Sequence, residues 1–309
     1  MALSAYYAPP PSTESDTHRL TILDHIYASG QRFWDTANIY GDNEQLIGKW
    51  LARNPHARGT LFLATKFGAV GGGKGRNDAG YARECCEESL RRLGTDYIDL
   101  FYVHRVDTEV PVEVSMGGEG KVRYLGLSEV SAETLRRAHA VYPIAAVQME
   151  YSLFALDVEA EFLQTTKELG VALVAYSPLS RGLLSGRFKS HDDIDEDDFR
   201  KRLPRFSPEN FPKNLELAEK IHAVADRKGV TASQLALAWL LAQGENVIPI
   251  PGTKSIEYYD ENMGALDVEL NDEDLRELRA AVEEADVKGG RYPVTVQSGL
   301  FADTPPLET

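Results

Sequence analysis

Short apolar runs alternate with helical patterns along almost the whole chain, and the early runs each end on a polar residue. This alternation is the pattern of a parallel α/β sheet, in which each strand is followed by a helical crossover. Strands are expected over residues 32–35, 61–66, 97–104, 122–128, 145–151, 171–177 and 247–251. Helices are expected over 16–29, 43–53, 81–93, 132–141, 158–169, 213–228, 232–242, 256–263 and 272–285. Gly30, Gly94 and Gly170 stop helices, and Thr231 with Gln234 forms a capping-box pair. That gives seven strands, where a closed barrel of this type wants eight. Residues 1–14 carry tyrosines and prolines rather than a strand pattern.

Four of the polar residues matter most. Asp35 and Tyr40 lie in Phe33-Trp34-Asp35-Thr36-Ala37-Asn38-Ile39-Tyr40, Lys66 ends Leu61-Phe62-Leu63-Ala64-Thr65-Lys66, and His104 ends Asp99-Leu100-Phe101-Tyr102-Val103-His104. In a (β/α) barrel such strand ends converge on one face, where the chemistry is done. A phenol, an ammonium, a carboxylate and an imidazole meeting there would make a proton-donating site. Taken singly, Asp35 reads as a turn cap, Tyr40 as rim packing, Lys66 as a solvated charge and His104 as a satisfied core histidine. Taken together at consecutive strand ends, the catalytic reading is the stronger one.

The net charge of −15 argues against nucleic acid or an anionic membrane as the main partner. Cys85 and Cys86 are adjacent, so they are expected to be free thiols on a helix in a reducing compartment. No apolar run is long enough to span a membrane, and the first ten residues lack a basic leader pattern. A cytoplasmic protein without a metal site is the expectation, and one domain over residues 1–309 fits the absence of any linker.

Several ordered motifs resemble the aldo-keto reductase family, most closely its fungal members. One runs from Gly30-Gln31-Arg32-Phe33-Trp34-Asp35-Thr36-Ala37 to Glu44-Gln45-Leu46-Ile47-Gly48. Another is Cys86-Glu87-Glu88-Ser89-Leu90-Arg91-Arg92-Leu93-Gly94-Thr95-Asp96-Tyr97-Ile98-Asp99-Leu100. Further matches are Gly126-Leu127-Ser128-Glu129, Val147-Gln148-Met149-Glu150-Tyr151, Ala175-Tyr176-Ser177-Pro178-Leu179-Ser180-Arg181-Gly182 and Ile250-Pro251-Gly252-Thr253-Lys254. The resemblance implies a (β/α)8 TIM-type barrel. Two departures from it are expected: the usual N-terminal hairpin and first strand are missing, and the fourth crossover helix is cut to a turn at most, since Gly117-Gly118 interrupts it.

The resemblance further implies reduction of an aldehyde or ketone, with the hydride from NADPH. Tyr40 would donate the proton, Lys66 would lower its pKa, Asp35 would hold Lys66 and also contact the cofactor, and His104 would orient the carbonyl. Ser128, Glu129 and Gln148 would hold the nicotinamide and Tyr176 would stack on it. Ser177, Pro178, Leu179, Arg181, Gly182 and Gly186 would wrap the pyrophosphate. Lys254 and Ser255, at a helix start, would take the 2′-phosphate, and Tyr258, Glu261 and Asn262 would meet the adenosine end.

Gly71-Gly72-Gly73-Lys74-Gly75 lacks phosphate-loop spacing and reads as a flexible loop at the site mouth, and the acidic run 192–198 reads as solvated loop. The loops at 6–11, 68–77 and 188–211 and the tail near Tyr292 hold aromatics and few fixed charges, which suits an apolar or aromatic small-molecule carbonyl substrate. A monomer or weak homo-oligomer is expected, with secondary metabolism as one setting. Other readings are a regulatory subunit that binds a nicotinamide cofactor, or an inactive truncated paralogue.

Overall fold

In the computed structural model, which describes residues 2–6, 15–115 and 120–307, seven parallel strands form one sheet. Helix α1 (Asp16–Ala28) opens on Ser15, whose hydroxyl accepts from the His18 amide. Strand β1 (Phe33–Asp35) follows, then α2 (Asn43–Arg53) and β2 (Phe62–Phe67). A two-stranded hairpin, β3 (Ala69–Gly71) and β4 (Lys74–Gly75), precedes α3 (Ala79–Leu93) and β5 (Ile98–Val103). Then come β6 (Val122–Ser128), α4 (Ala132–Val141), β7 (Ile144–Glu150), α5 (Phe162–Leu169) and β8 (Ala172–Tyr176). After several 3-10 turns the chain continues with α6 (Phe211–Lys228), α7 (Ala232–Leu241), β9 (Val247–Pro249), α8 (Ile256–Met263), α9 (Asp272–Glu283) and the short α10 (Val294–Gln297).

The strand order is β1-β2-β5-β6-β7-β8-β9, all parallel. Every residue of β5 is buried, as a strand covered on both faces should be. One face carries Ala64, Leu100, Tyr102, Ala146 and Val174. The other packs on the helices through a large cluster that includes Phe101, Leu127, Val147, Met149, Leu173 and Trp239. A smaller cluster of Trp34, Leu46, Trp50, Leu63 and Leu93 seats α1 and α2 against the first strands.

Among the described residues the sheet has two unpaired edges, β1 and β9. On the outside α1 and α8 meet across the gap: His25 Nε2 lies 2.6 Å from Asp260 Oδ1, the His25 ring stands edge-on to Tyr259, and the hydroxyls of Ser29 and Tyr259 pair. Residues 2–6 form turns rather than a strand, and the rest of the 6–11 loop lies outside the described residues.

Several expectations need correction. The glycine-rich segment at 71–75 is part of the β3–β4 hairpin, and Gly73 packs against Val296 of α10. The helix expected at 158–169 is broken into a 3-10 turn (Asp157–Glu159) and α5. The acidic run is only partly solvated: Ile194 is buried, Asp193 accepts the Lys189 and Ser190 amides, and Asp198 holds Arg200. The crossover from β5 to β6 is, as expected, reduced to one 3-10 turn among the described residues, Val112–Ser115, with 116–119 outside them. All of β5 and the C-terminal half of β6 are nonetheless buried, and the C-terminal tail folds back onto this side. Arg137 of α4 binds Glu113, the Thr304 carbonyl and the Pro305 carbonyl, and Ala302 bridges to Val130.

Gly48 lets α2 touch the end of α3. A Cβ there would collide with the Arg92 carbonyl and lie 3.1 Å from Leu93 C. Alanine gains up to ~1 kcal/mol of helix propensity, but forcing two backbones apart costs about 1–3 kcal/mol. Gly48→Ala should therefore lower the urea midpoint with an unchanged denaturant slope; an equal or raised midpoint would show that the helices part freely.

Candidate active site

The candidate catalytic groups sit where the strands stop. Asp35 is the last residue of β1, and the turn after it is pinned to β2 by Thr36 N to Ala64 O (2.9 Å) and Asn38 N to Lys66 O (3.1 Å). That turn carries Tyr40 to the edge of α2, where Asn43 N donates to the Tyr40 carbonyl. His104 follows β5, its amide donating to Phe67 O at 2.7 Å. Parallel register thus sets four residues distant in sequence around one opening.

Lys66 has no exposed surface. Its ammonium donates to Asp35 Oδ1 and, at 2.7 Å, to the Thr36 carbonyl. The other Asp35 oxygen accepts from Gln148 Nε2 of β7 at 2.9 Å. The Lys66 ammonium stands 5.1 Å from the Tyr40 ring centre, and the Tyr40 and His104 rings meet edge-on at 5.8 Å. Burial lowers the Lys66 pKa, with Asp35 working against that fall. The Tyr40 phenol is pushed well above 10, first by burial and then by the Asp35 charge. So the free site does not lower the Tyr40 pKa as the sequence suggested: the phenol is held firmly protonated. Burial, with the charges of Arg105 and Lys66, drives His104 well below 6.5, so its imidazole is neutral, and its Nδ1 is buried without a hydrogen-bond partner among the described residues.

One cavity of about 1620 Å³ joins these groups to the cofactor candidates. Its wall includes Asp35, Tyr40, His104, Ser128, Gln148 and Tyr176, then Ser177, Pro178, Leu179, Arg181, Gly182 and Gly186, then Lys254, Tyr258, Glu261 and Asn262. Between 177 and 186 the backbone turns left-handed repeatedly, at Ser177 (φ 50°), Ser180 (51°), Arg181 (59°), Gly182 (99°) and Gly186 (66°). Non-glycine residues rarely hold such angles outside functional loops, and alternating handedness of this kind turns successive amides into an anion-binding concavity.

A family model for the aldo/keto reductase family matches residues 9–283. The chain belongs to the aldo/keto reductase family. It is 50% identical over 303 residues to aldo-keto reductase str7 of Strobilurus tenacellus, covering 95% of this chain and 89% of the relative. It is 45% identical over 323 residues to aldo-keto reductase yakc [NADP(+)] of Schizosaccharomyces pombe, covering 99% of this chain and 94% of the relative. Among solved structures it is similar to the glycerol dehydrogenase of Gluconobacter oxydans (TM-score 0.81, 26% identity, 95% of this chain and 91% of that one). A thermostable aldo-keto reductase, Tm1743, in complex with the inhibitor epalrestat also matches (TM-score 0.73, 27% identity, 91% and 92%).

Two of the expected cofactor contacts, Glu129 and Ser255, are differently employed in this reductase, and the side chain of a third, Arg181, is engaged away from its backbone amide. Glu129 is wholly buried beside the cavity wall: it accepts from the Tyr176 hydroxyl at 2.7 Å and the Glu150 amide, and it pairs with Arg291 of the tail. It holds Tyr176 rather than facing a nicotinamide. The Arg181 side chain turns to Glu150 (3.0 Å) and the Arg291 carbonyl (2.7 Å). Ser255 caps α8, its hydroxyl accepting from the Tyr258 amide, and it does not line the cavity. The loops also carry more charge than expected, since Arg105, Arg200 and Arg202 line the wall with Tyr6, Phe199 and Tyr292. Arg105 was missed because alternation ends with the strand, and nothing local aims the next side chain.

His104 gives a pH test. Its folded pKa is depressed, so below ~6.5 the unfolded chain binds a proton that the folded chain refuses. Stability should fall as pH drops through that range, by at most about 1.4 kcal/mol per pH unit from this residue. Urea melts at pH 7.5 and 5.5 should show a smaller loss for His104→Gln than for the unaltered chain; equal losses would mean that His104 titrates normally in the fold.

Proposed function

We propose that this chain is an NADPH-dependent reductase that converts an aldehyde or ketone to an alcohol, as one catalytic domain. The observation that carries the reading is that Asp35, Tyr40 and His104 line one cavity, with Lys66 buried behind them on Asp35, and that the same cavity holds the left-handed turn at 177–186. The Schizosaccharomyces pombe relative, whose name specifies NADP(+), supports the cofactor.

The residues present fit such a cofactor. The amides of 177–186 suit a pyrophosphate, and Lys254 stands just before α8, where a helix start and a cation together favour a phosphate. Ser128 and Gln148 offer side chains for a carboxamide at the cavity floor, and Tyr176, fixed by Glu129, offers a ring face. When bound, the cofactor supplies the hydride that the carbonyl carbon receives.

The protein's own part is to position the carbonyl and to deliver a proton. A neutral His104 can donate a hydrogen bond to the carbonyl oxygen without competing as an acid. Tyr40, fully protonated at neutral pH, gives its proton as negative charge develops on that oxygen. The phenolate left behind then faces the Lys66 ammonium, whose position Asp35 and the Thr36 carbonyl hold in advance. A raised Tyr40 pKa in the free site suits this order: the proton leaves only when a stronger base is forming.

Tyr40→Phe should lower kcat for aldehyde reduction by ~10²–10⁴-fold while NADPH still binds, as read by fluorescence titration. Lys254→Ala should weaken NADPH binding by roughly tenfold or more and NADH binding far less. Full activity in Tyr40→Phe, or no NADPH binding by the folded chain, would sink the reading.

A further inference from the structure

Arg105 stands out among the cavity arginines because it is partly buried and yet has no carboxylate at ion-pair distance among the described residues; Arg187 and Arg202, which also lack one, are exposed. Arg181 pairs with Glu150, Arg200 with Asp198 and Arg291 with Glu129. The Arg105 side chain makes two hydrogen bonds among the described residues, both from one nitrogen: to its neighbour's carbonyl, His104 O (2.7 Å), and to Ser128 Oγ (3.4 Å). It is half-buried, directly follows the imidazole proposed to hold the carbonyl, and lines the same cavity.

What surrounds it is phenolic. Burial raises the pKa values of Tyr6, Tyr40 and Tyr176, and at each of them the Arg105 charge works against the rise. Tyr292 also acts on Arg105. Glu129, the carboxylate whose charge acts on Arg105, already accepts from Tyr176 and pairs with Arg291. Burial works against the Arg105 cation and the surrounding tyrosines and Glu129 offset it, so the guanidinium stays charged, with most of its donors open to an anion among the described residues. Its planar fork matches a carboxylate, binding through two parallel hydrogen bonds. The chain as a whole carries −15, so an acidic substrate would meet a repelling protein unless the site itself supplied a cation.

We propose that Arg105 binds a carboxylate on the substrate, so that the enzyme prefers aldehydes or ketones that carry a carboxylate beside an apolar or aromatic body. This rests on the reductase reading above. The aromatic wall of Tyr6, Phe199 and Tyr292 would take that body, and the guanidinium would fix which end enters first. Arg105 is then a specificity residue: a neutral carbonyl compound loses this one anchor and keeps the rest of the site.

The test compares 4-carboxybenzaldehyde with 4-nitrobenzaldehyde, matched in size and reactivity class. In the unaltered enzyme with NADPH, kcat/KM should favour the carboxylate by ~10-fold or more. Arg105→Met should cut that ratio by ~10–100-fold, and Arg105→Lys should restore part of it. The ratio cancels any effect of Arg105 on Tyr40, because both substrates share the proton donor. An unaltered enzyme with no preference, or a ratio untouched by either substitution, overturns the proposal. If Arg105→Met does not fold, the unaltered preference and its decrease in Arg105→Lys decide. If neither aldehyde turns over, the reductase reading fails on its own, and calorimetric titration with 4-(hydroxymethyl)benzoate against benzyl alcohol decides about Arg105: tighter binding of the acid, lost in Arg105→Met, supports the anion site, and equal binding overturns it.

Discussion

The buried ammonium of Lys66 is the constraint around which the site is arranged. A lysine with no exposed surface persists as a cation only if its donors are met, and here Asp35 and the Thr36 carbonyl meet them. Both partners come from β1 and the turn behind it, so the charge on β2 dictates where the short first strand must lie. Gln148 extends the arrangement by binding the second Asp35 oxygen from β7, on the far side of the sheet interior. Removing one member would leave the other charged and buried, a loss of ~3–5 kcal/mol. That is at least as large as what three residues of β1 could contribute through their ladder, at about 1 kcal/mol net per hydrogen bond. The same pair that would stabilise a Tyr40 phenolate therefore also anchors an otherwise marginal edge strand.

Much of this was legible because it is periodic. The seven strands fall within a residue or two of the apolar runs, and five helices match their expected bounds to within one residue, because alternation and capping residues are local signals. The convergence of Asp35, Tyr40, Lys66 and His104 was readable for the same reason: each ends a run, and parallel strands bring their ends together. What was not readable depends on partners far along the chain. Glu129 looked like a cofactor contact, but its fate is decided by Arg291, 162 residues later. Arg181 is taken by Glu150 and by a tail carbonyl, and Ser255 by the amide that its own helix leaves unpaired. The β3–β4 hairpin escaped notice because Gly71, Gly72 and Gly73 suit a tight turn as well as a mobile loop, and only packing on α10 distinguishes the two.

The open sheet poses a separate question: how a site can form when the ring of strands is not closed by hydrogen bonds. The candidate catalytic and nicotinamide-side residues lie on or directly after β1, β2, β5, β6, β7 and β8, which are successive neighbours in the sheet. Every ladder needed to position them is present, and the interruption falls between β9 and β1. The two edge strands are three residues each, which limits what they expose. Helices α1 and α8 cover the gap through His25, Ser29, Tyr259 and Asp260. The cavity runs into this space, where Leu23, Ile26, Phe33 and Ile250 line it. Its volume is accordingly larger than the roughly 300–1,000 Å³ of a usual small-molecule site, and part of it belongs to the gap rather than to substrate.

The C-terminal tail is what turns this set of strand ends into a walled site. Arg291 enters the interior to neutralise Glu129, and Glu129 in turn fixes the Tyr176 hydroxyl. The next residue, Tyr292, lies under the Arg181 guanidinium and reaches the Tyr40 side of the cavity. A buried arginine on a segment with little regular structure is costly unless its carboxylate waits in place, and Glu129 is fully enclosed only because the tail arrives. Each therefore requires the other, and the pairing links the ring offered to a nicotinamide with the wall offered to a substrate. Changes in the tail should be felt at both positions through one ion pair, without any motion of the sheet.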